Sequence, residues 1–370
     1  MPAVRESPFD RRRLRFRPLG ERRNRVFIER DRVEPDTEPG PLPPETREGI
    51  AETVAGVRAA RASGRPVILA FGAHTIKNGL SPVLIRLLEG GWLTHLATNG
   101  AGVIHDWEFA FQGASSEDVR ENLARGEFGL WEETGYWLNL ALAAGAYRGL
   151  GYGEAIGALI QGEGLSLPPL GELEREAREL AVPEQAAAAA DLLGLVRRFT
   201  LKPGFLKLPH PFKRFSLQAA AFRLGLPFTA HPMFGQDIIY AHPLSLGAAI
   251  GRAAERDFLR FVSSVAALEG GVYLSVGSAV MSPMIFEKAL SMARNLAIQD
   301  RRSIERFRVY VVDLAPQAWD WQRNGEPPPD NPAYYLRYLK TFSRVGGSMR
   351  YLRADNRDFL LSLQAGLSGG

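Results

Sequence analysis

The sequence predicts a doubly wound α/β domain, a mostly parallel sheet with helices on both faces. Three observations predict it. Short apolar runs of strand length recur along the chain, among them RPVILAF, WLTHLAT, LPFTA, GVYLSV and FRVYVVD. Helical stretches separate them, and parallel strands need such crossovers. Several runs end in glycine-rich or polar segments, where open parallel sheets bind ligands.

The elements follow in order. Residues 1–32 hold 11 arginines against five acids, a local basic arm. EPDTEPGPLPPE (34–45) is too rich in proline for regular structure. The expected organisation is therefore a basic arm with a proline-rich linker over 1–45, then a single domain over 46–370 with a helical insertion around 115–200. Within TREGIAETVAGVRAARASG, Ile50, Val54 and Val57 recur at helical spacing. Val67–Phe71 reads as a buried strand running into a glycine loop. Residues 80–91 read as a helix with Pro82 in its first turn and glycines after its end. A second strand is expected at 93–97, followed by another glycine loop and a helix start. Beyond the helix-rich middle, Pro227–Ala230 reads as a strand, 256–270 as a helix, 271–280 as a strand with a glycine turn, 282–297 as a helix and 307–315 as a strand. A last strand and helix are expected within GSMRYLRADNRDFLLSLQ.

Composition excludes several function classes. The chain has 370 residues, 45% hydrophobic and 23% charged, which excludes global disorder. It contains no cysteine, which excludes disulfide frameworks, zinc ribbons, iron–sulfur clusters and cysteine nucleophiles. No apolar h-region follows the N-terminal arginines, and the run between Glu269 and Glu287 is too short and too rich in glycine and serine for a span. A cytoplasmic location without membrane partners is expected. The net charge of +4 raises nucleic-acid binding as a reading, but no aromatic-and-basic motif accompanies the arm, and no nucleic-acid partner is expected.

Four strand ends are glycine-rich or polar: FGAHTIKNG (71–79), TNGAGVIHD (98–106), TAHPMFGQD (229–237) and VGSAVMSP (276–283). Glycine lets backbone approach a phosphate, and a following helix N-terminus favours negative charge. GxGxxG and GxxxxGK[ST] are both absent, and no GxSxG elbow follows a strand run. Five of six histidines, His74, His95, His105, His231 and His242, lie at or near these ends; His95 and His210 also read as hydrogen-bonded structural residues. His105 precedes Asp106 at an expected helix start, where the carboxylate caps the helix or orients the imidazole. The spacing of His231, Asp237 and His242 does not suit a metal-binding helical face, so no metal is expected. Lys340, one of only six lysines, sits in the aromatic segment WDWQRNGEPPPDNPAYYLRYLK. A desolvated lysine can attack a carbonyl or imine, which arginine cannot; the alternative is a surface lysine beside an aromatic core helix.

RPVILAFGAHTIKNGLSPVLIRLLEGGWLTHLATNGAGVIHDWEFAF resembles the first βαβ unit of deoxyhypusine synthase, and LPFTAHPMFGQDIIYAHP with EGGVYLSVGSAVMSPMIFEKALSMARN resembles a later part of that family. The resemblance covers roughly 65–113 and 212–315. It implies a Rossmann-like nucleotide-binding fold and NAD as cofactor, bound at Thr98, Asn99, Gly100, Ala101, Gly102 and Asp106, with His74 and Lys77 nearby. Asp237 matches an aspartate before the family's aromatic strand, and Asp355 the late aspartate of the nucleotide site. Gly72, Gly277 and Ser278 complete the expected cofactor contacts. The sequence departs from the family at Ser282 and Phe286, where it has a histidine and an asparagine, at Ile104 and His105, where it has paired glutamates, and around Lys340, the loose counterpart of its imine-forming lysine.

The resemblance implies a divergent NAD-binding enzyme that moves a hydride to or from an amine- or hydroxyl-bearing small molecule. His105 or His242 would carry the proton, and Lys340 an imine. The competing reading is a nucleotide- or metabolite-binding protein that kept the fold and lost the chemistry. Family sites lie at a dimer interface, so a homodimer or homotetramer is expected, with the basic arm wrapped on a neighbour.

Overall fold

The computed structural model describes residues 9–316 and 319–369; residues 1–8 of the basic arm lie outside the described residues. Six strands form the central sheet: β1 (Val67–Phe71), β2 (His95–Thr98), β3 (Phe228–Ala230), β4 (Val272–Val276), β5 (Arg308–Asp313) and β6 (Ser348–Arg353). Their order is β6-β5-β4-β1-β2-β3, and every neighbouring pair is parallel. The expected doubly wound parallel sheet is what forms.

Twelve helices recur below: α1 (Pro44–Ala62), α2 (Ala73–Lys77), α3 (Ser81–Glu89), α4 (Gly100–Gln112), α5 (Glu132–Tyr147), α6 (Tyr152–Gly162), α7 (Pro183–Arg198), α8 (Leu217–Arg223), α9 (Gly247–Ala266), α10 (Met281–Gln299), α11 (Arg337–Arg344) and α12 (Asn356–Ser368). Pro82 occupies the first turn of α3, where its missing N–H costs no helical bond. Side chains alternate across a strand, so β1 feeds two cores. Val67, Leu69 and Phe71 pack with α1, α3 to α6 and α12; Ile68 and Ala70 pack with α9, α10 and α11. Both faces of β1 are therefore apolar, which explains a run with no polar alternation. Helices α4 to α8, with an antiparallel ribbon of Gly164–Leu167 on Gly204–Lys207, fill the connection between β2 and β3. Asp257 of α9 fastens that layer to the sheet, accepting from Gly153 N at 2.8 Å and Ala230 N at 2.7 Å. Among the described residues, no helix is long and apolar enough to cross a membrane.

Two expectations change. The first glycine loop contains the short helix α2, because Gly72 and Thr75 close a turn that Lys77 extends. The second change concerns the arm, expected on a neighbouring subunit. Its described residues lie on their own chain. Val26–Phe27 pairs antiparallel with Ala114–Ser115, and Leu19 and Ile28 are fully buried. Arg11 donates to the carbonyls of Tyr240 and Ser245, Arg17 pairs with Glu127, and Leu19 N donates to Glu133. Arg22 is the deepest anchor. Its guanidinium meets both carboxylate oxygens of Glu108 on α4 at 2.8 and 2.6 Å, and both side chains are almost wholly buried.

Removing one member of such a pair strands the other charge. Urea unfolding of Arg22→Met is expected to show a loss of about 3–5 kcal/mol. The Arg22→Met, Glu108→Gln double variant should lose less than the two single variants together, because the stranded charge is gone.

Candidate functional site

The chain leaves β1 toward β2 on one side and returns to β4 on the other, so the sheet's direction of growth reverses between β1 and β4. Loops beyond that point splay apart and leave a crevice at the carboxyl ends of the strands. Gly72 N donates to Val276 O at 3.1 Å, and Gly277 N to Val312 O at 3.0 Å, so the two loops start locked together. A methyl group on Gly72 would collide with the carbonyl oxygen of Gly277, and Gly277 holds a left-handed φ of +57°. The crevice encloses about 310 Å³. Of the expected cofactor residues it is lined by Gly72, His74, Asn99, Gly100, Ala101, Asp237, Gly277 and Ser278. Asn99 caps α4, its side chain accepting from Gly102 N at 2.9 Å, which leaves the first two N–H groups of that helix outside the helical ladder.

A second cavity of about 210 Å³ adjoins the first; Ala101, Gln236 and Asp237 line both. Lys77, His105, Arg22 and Glu108 line it as well, with Ile104, Phe128 and Ile238 as apolar wall. Here the hydrogen bonds set a tautomer. The Ser115 hydroxyl donates to Glu108 Oε2 at 2.5 Å, and its oxygen lies 2.7 Å from His105 Nδ1. A hydroxyl has one proton, already given to Glu108, so His105 must donate from Nδ1. Its Nε2 is then an unprotonated acceptor in a ring that lines the cavity.

Burial pushes His105 down to about 4, against the attraction of Glu108, so the ring is neutral near pH 7. Burial also opposes ionisation of Glu108, but the charge and hydrogen bonds of Arg22 outweigh it and hold the carboxyl below its usual range. Asp237 goes the other way. Burial raises it to about 6, and the Tyr240 hydroxyl, which donates at 3.0 Å, only partly offsets this. A neutral base and a carboxyl that titrates close to neutral pH therefore share one cavity.

Other expected residues are turned to structural work. Thr98 is fully buried, its hydroxyl donating to Phe71 O, and Gly102 packs against that side chain. Asp106 is not at a helix start but inside α4, facing away from both cavities. It is fully buried and accepts from Ser216 Oγ, Leu217 N and Gln218, holding the start of α8. Asp355 caps α12 through Arg357 N; the next residue, Asn356, reaches Thr75 Oγ1 and packs against Gly277. His242 is buried against Phe16 of the arm, 3.5 Å from Glu132, and lines neither cavity. Lys340 also lines neither. Its ammonium pairs with Glu326 at 3.1 Å and sits over the Tyr334 ring, so the structure does not bring it together with the other expected site residues. The site residues the sequence did not single out are Arg22, Glu108, Ser115 and Gln236. No local pattern marks the first three, because the arm and α4 meet only in the fold.

No protein-family model matches the chain, and no curated protein matches it in sequence. Solved structures of similar form include AgrE in its ternary complex with ornithine and NAD+, at 14% identity and a TM-score of 0.43 over 88% of this chain and 33% of that one. Another is ArgZ, an arginine dihydrolase from the ornithine–ammonia cycle in cyanobacteria, at 12% identity and a TM-score of 0.38 over 86% of this chain and 32% of that one. A third is a putative LOR/SDH protein from Methanococcus maripaludis S2, at 12% identity and a TM-score of 0.43 over 91% of this chain and 73% of that one. The chain thus spans about a third of the length of AgrE and ArgZ. Superpositions this loose say nothing of what the present chain binds.

The tautomer is directly measurable. Nitrogen NMR of the histidine rings should show His105 in the Nδ1–H form from pH 7 down to pH 5, with charging only near pH 4. In Ser115→Ala the preference for that form should disappear. A ring that charges near its ordinary value of about 6.5 would contradict the buried geometry.

Proposed function

We propose that the crevice takes a dinucleotide, NAD in the first instance, and that the adjoining cavity takes a small substrate bearing an amine or a hydroxyl. The reaction is hydride exchange between the two, with His105 moving the proton. The observation that carries this reading is the His105 ring, fixed as an acceptor in a cavity that shares a wall with the switch-point crevice.

The residues present suit the cofactor. Gly72, Gly100 and Gly277 bring bare backbone to the crevice wall. The leading N–H groups of α4, at Gly100 and Ala101, would meet phosphate oxygens, as at other helix N-termini. Asp237, His74 and Ser278 would serve sugar hydroxyls. When bound, NAD supplies the hydride-accepting ring. The chain's own residues do the rest. His105 Nε2 takes the proton from the substrate's O–H or N–H, and Ser115 and Glu108 hold the imidazolium that results. Lys77, at the edge of the second cavity, would attract an anionic group on the substrate. The order of strand-end segments that resembles deoxyhypusine synthase supports the same cofactor, but no lysine imine enters the scheme.

Thermal unfolding with NAD, NADP, FAD and ATP in parallel tests the first half. A ligand held at 100 times its dissociation constant should stabilise the protein by about 2.7 kcal/mol. If none of the four shifts the melting point, the cofactor reading fails. A screen of small amines and alcohols, followed by the absorbance of reduced nicotinamide, tests the second half. His105→Gln should keep the NAD shift while losing about 10²–10⁴-fold in turnover. Equal turnover in that variant would remove His105 from the mechanism.

A further inference from the structure

A second histidine faces the crevice, and it is not alone. His231 follows β3, and the crevice wall includes it. Its Nε2 lies 3.0 Å from Thr229 Oγ1, and the same oxygen lies 2.9 Å from His95 Nε2 on β2. The other nitrogen of His95, Nδ1, lies 2.8 Å from Ser264 Oγ on α9. His95 and Thr229 are fully buried, and His231 nearly so, while Ser264 is only half-buried. The Phe261 ring stands edge-on to both imidazoles, with centroids at 5.5 and 5.3 Å, and fills the space beside them. Four side chains from three elements thus form one unbroken line from the crevice to the half-buried Ser264.

We propose that Ser264, His95, Thr229 and His231 form a proton relay between the crevice and solvent, with His231 as the group that exchanges protons with whatever the crevice holds. The proposal rests on the crevice being a reaction site, as read above.

The proton inventory allows it. Thr229 has one hydroxyl proton and accepts through its lone pairs, and each neutral imidazole has one N–H and one acceptor nitrogen. In one polarity His231 donates from Nε2 to Thr229, Thr229 donates to His95 Nε2, and His95 donates from Nδ1 to Ser264. His231 Nδ1 is then free to accept. When it takes a proton from the crevice, each N–H or O–H along the line passes its proton to the next acceptor, and the Ser264 proton leaves to water. One proton enters and one leaves. Every group stays neutral at the end, and each imidazole has exchanged one tautomer for the other. The reverse transfer restores the first polarity. The remaining contact of Thr229, 3.4 Å from Leu96 O, is the longest of the set and the weakest competitor.

A relay of this kind needs imidazoles that stay uncharged between transfers. Burial provides that, pushing both His95 and His231 down to about 3, with Arg260 adding to the effect on His95. Among the described residues, no carboxylate acts on either ring to hold it as imidazolium, so neither traps the proton.

The test follows the ring protons of His95 by nitrogen NMR in the free protein, with no ligand needed. The relay predicts that both nitrogens of His95 report a mixture of tautomers and that its N–H exchanges with water despite complete burial. Thr229→Val keeps the shape but removes the hydroxyl, so it should slow that exchange by about tenfold or more and leave a single tautomer. Thr229→Ser should restore wild-type behaviour. A purely structural hydrogen-bond network predicts the opposite sign: loosening it in Thr229→Val would leave exchange as fast or faster. That result, or a single pure tautomer in the wild type, overturns the relay. Because these readings need no cofactor, they stand or fall separately from the melting-point test with NAD.

Discussion

The buried ion pair between Arg22 and Glu108 is the constraint on which the candidate site depends. A carboxylate this deep would ordinarily take up a proton, and the guanidinium prevents it. Its ionised oxygens then claim the hydroxyl protons of Ser115 and Thr134. Ser115 can therefore only accept from His105, and the imidazole is left with its lone pair toward the cavity. One charge pair thereby fixes the position of the arm, the protonation of an acid and the tautomer of a base.

The fold was legible because it rests on patterns that repeat locally. Unbroken apolar runs such as Val67–Phe71 read as strands covered on both faces, and glycines after them read as strand-end loops. Both readings need only neighbours in sequence. Boundaries moved where tertiary contacts decide them: α9 begins at Gly247, ahead of the expected start at residue 256, because its first turns pack on the helical layer between β2 and β3. The crevice was also legible, since Gly72, Gly100 and Gly277 mark backbone that must come close to something.

What the sequence concealed is which polar residues point inward. Asp106 and His105 are adjacent, yet successive residues on a helix face about 100° apart. One therefore caps α8 in the core while the other opens on a cavity. Lys340 was conspicuous as a rare lysine among aromatics, but Glu326 from a preceding loop neutralises it. Arg22 was one arginine among many in a segment whose charge suggested solvent. Only burial distinguishes it, and burial arises from long-range contacts.

The way the arm is fastened also dictates an order of assembly. Arg11, Arg17 and Arg22 leave the ribosome well before their partners, from Glu108 to Ser245, the farthest 234 residues down the chain. The arm has no complete seat until α4, α5 and the loop after β3 are all in place. Contacts of such long range close late in folding. The second cavity therefore acquires its charged wall only once the chain has passed the loop after β3, and a chain cut short of that loop presents no working site.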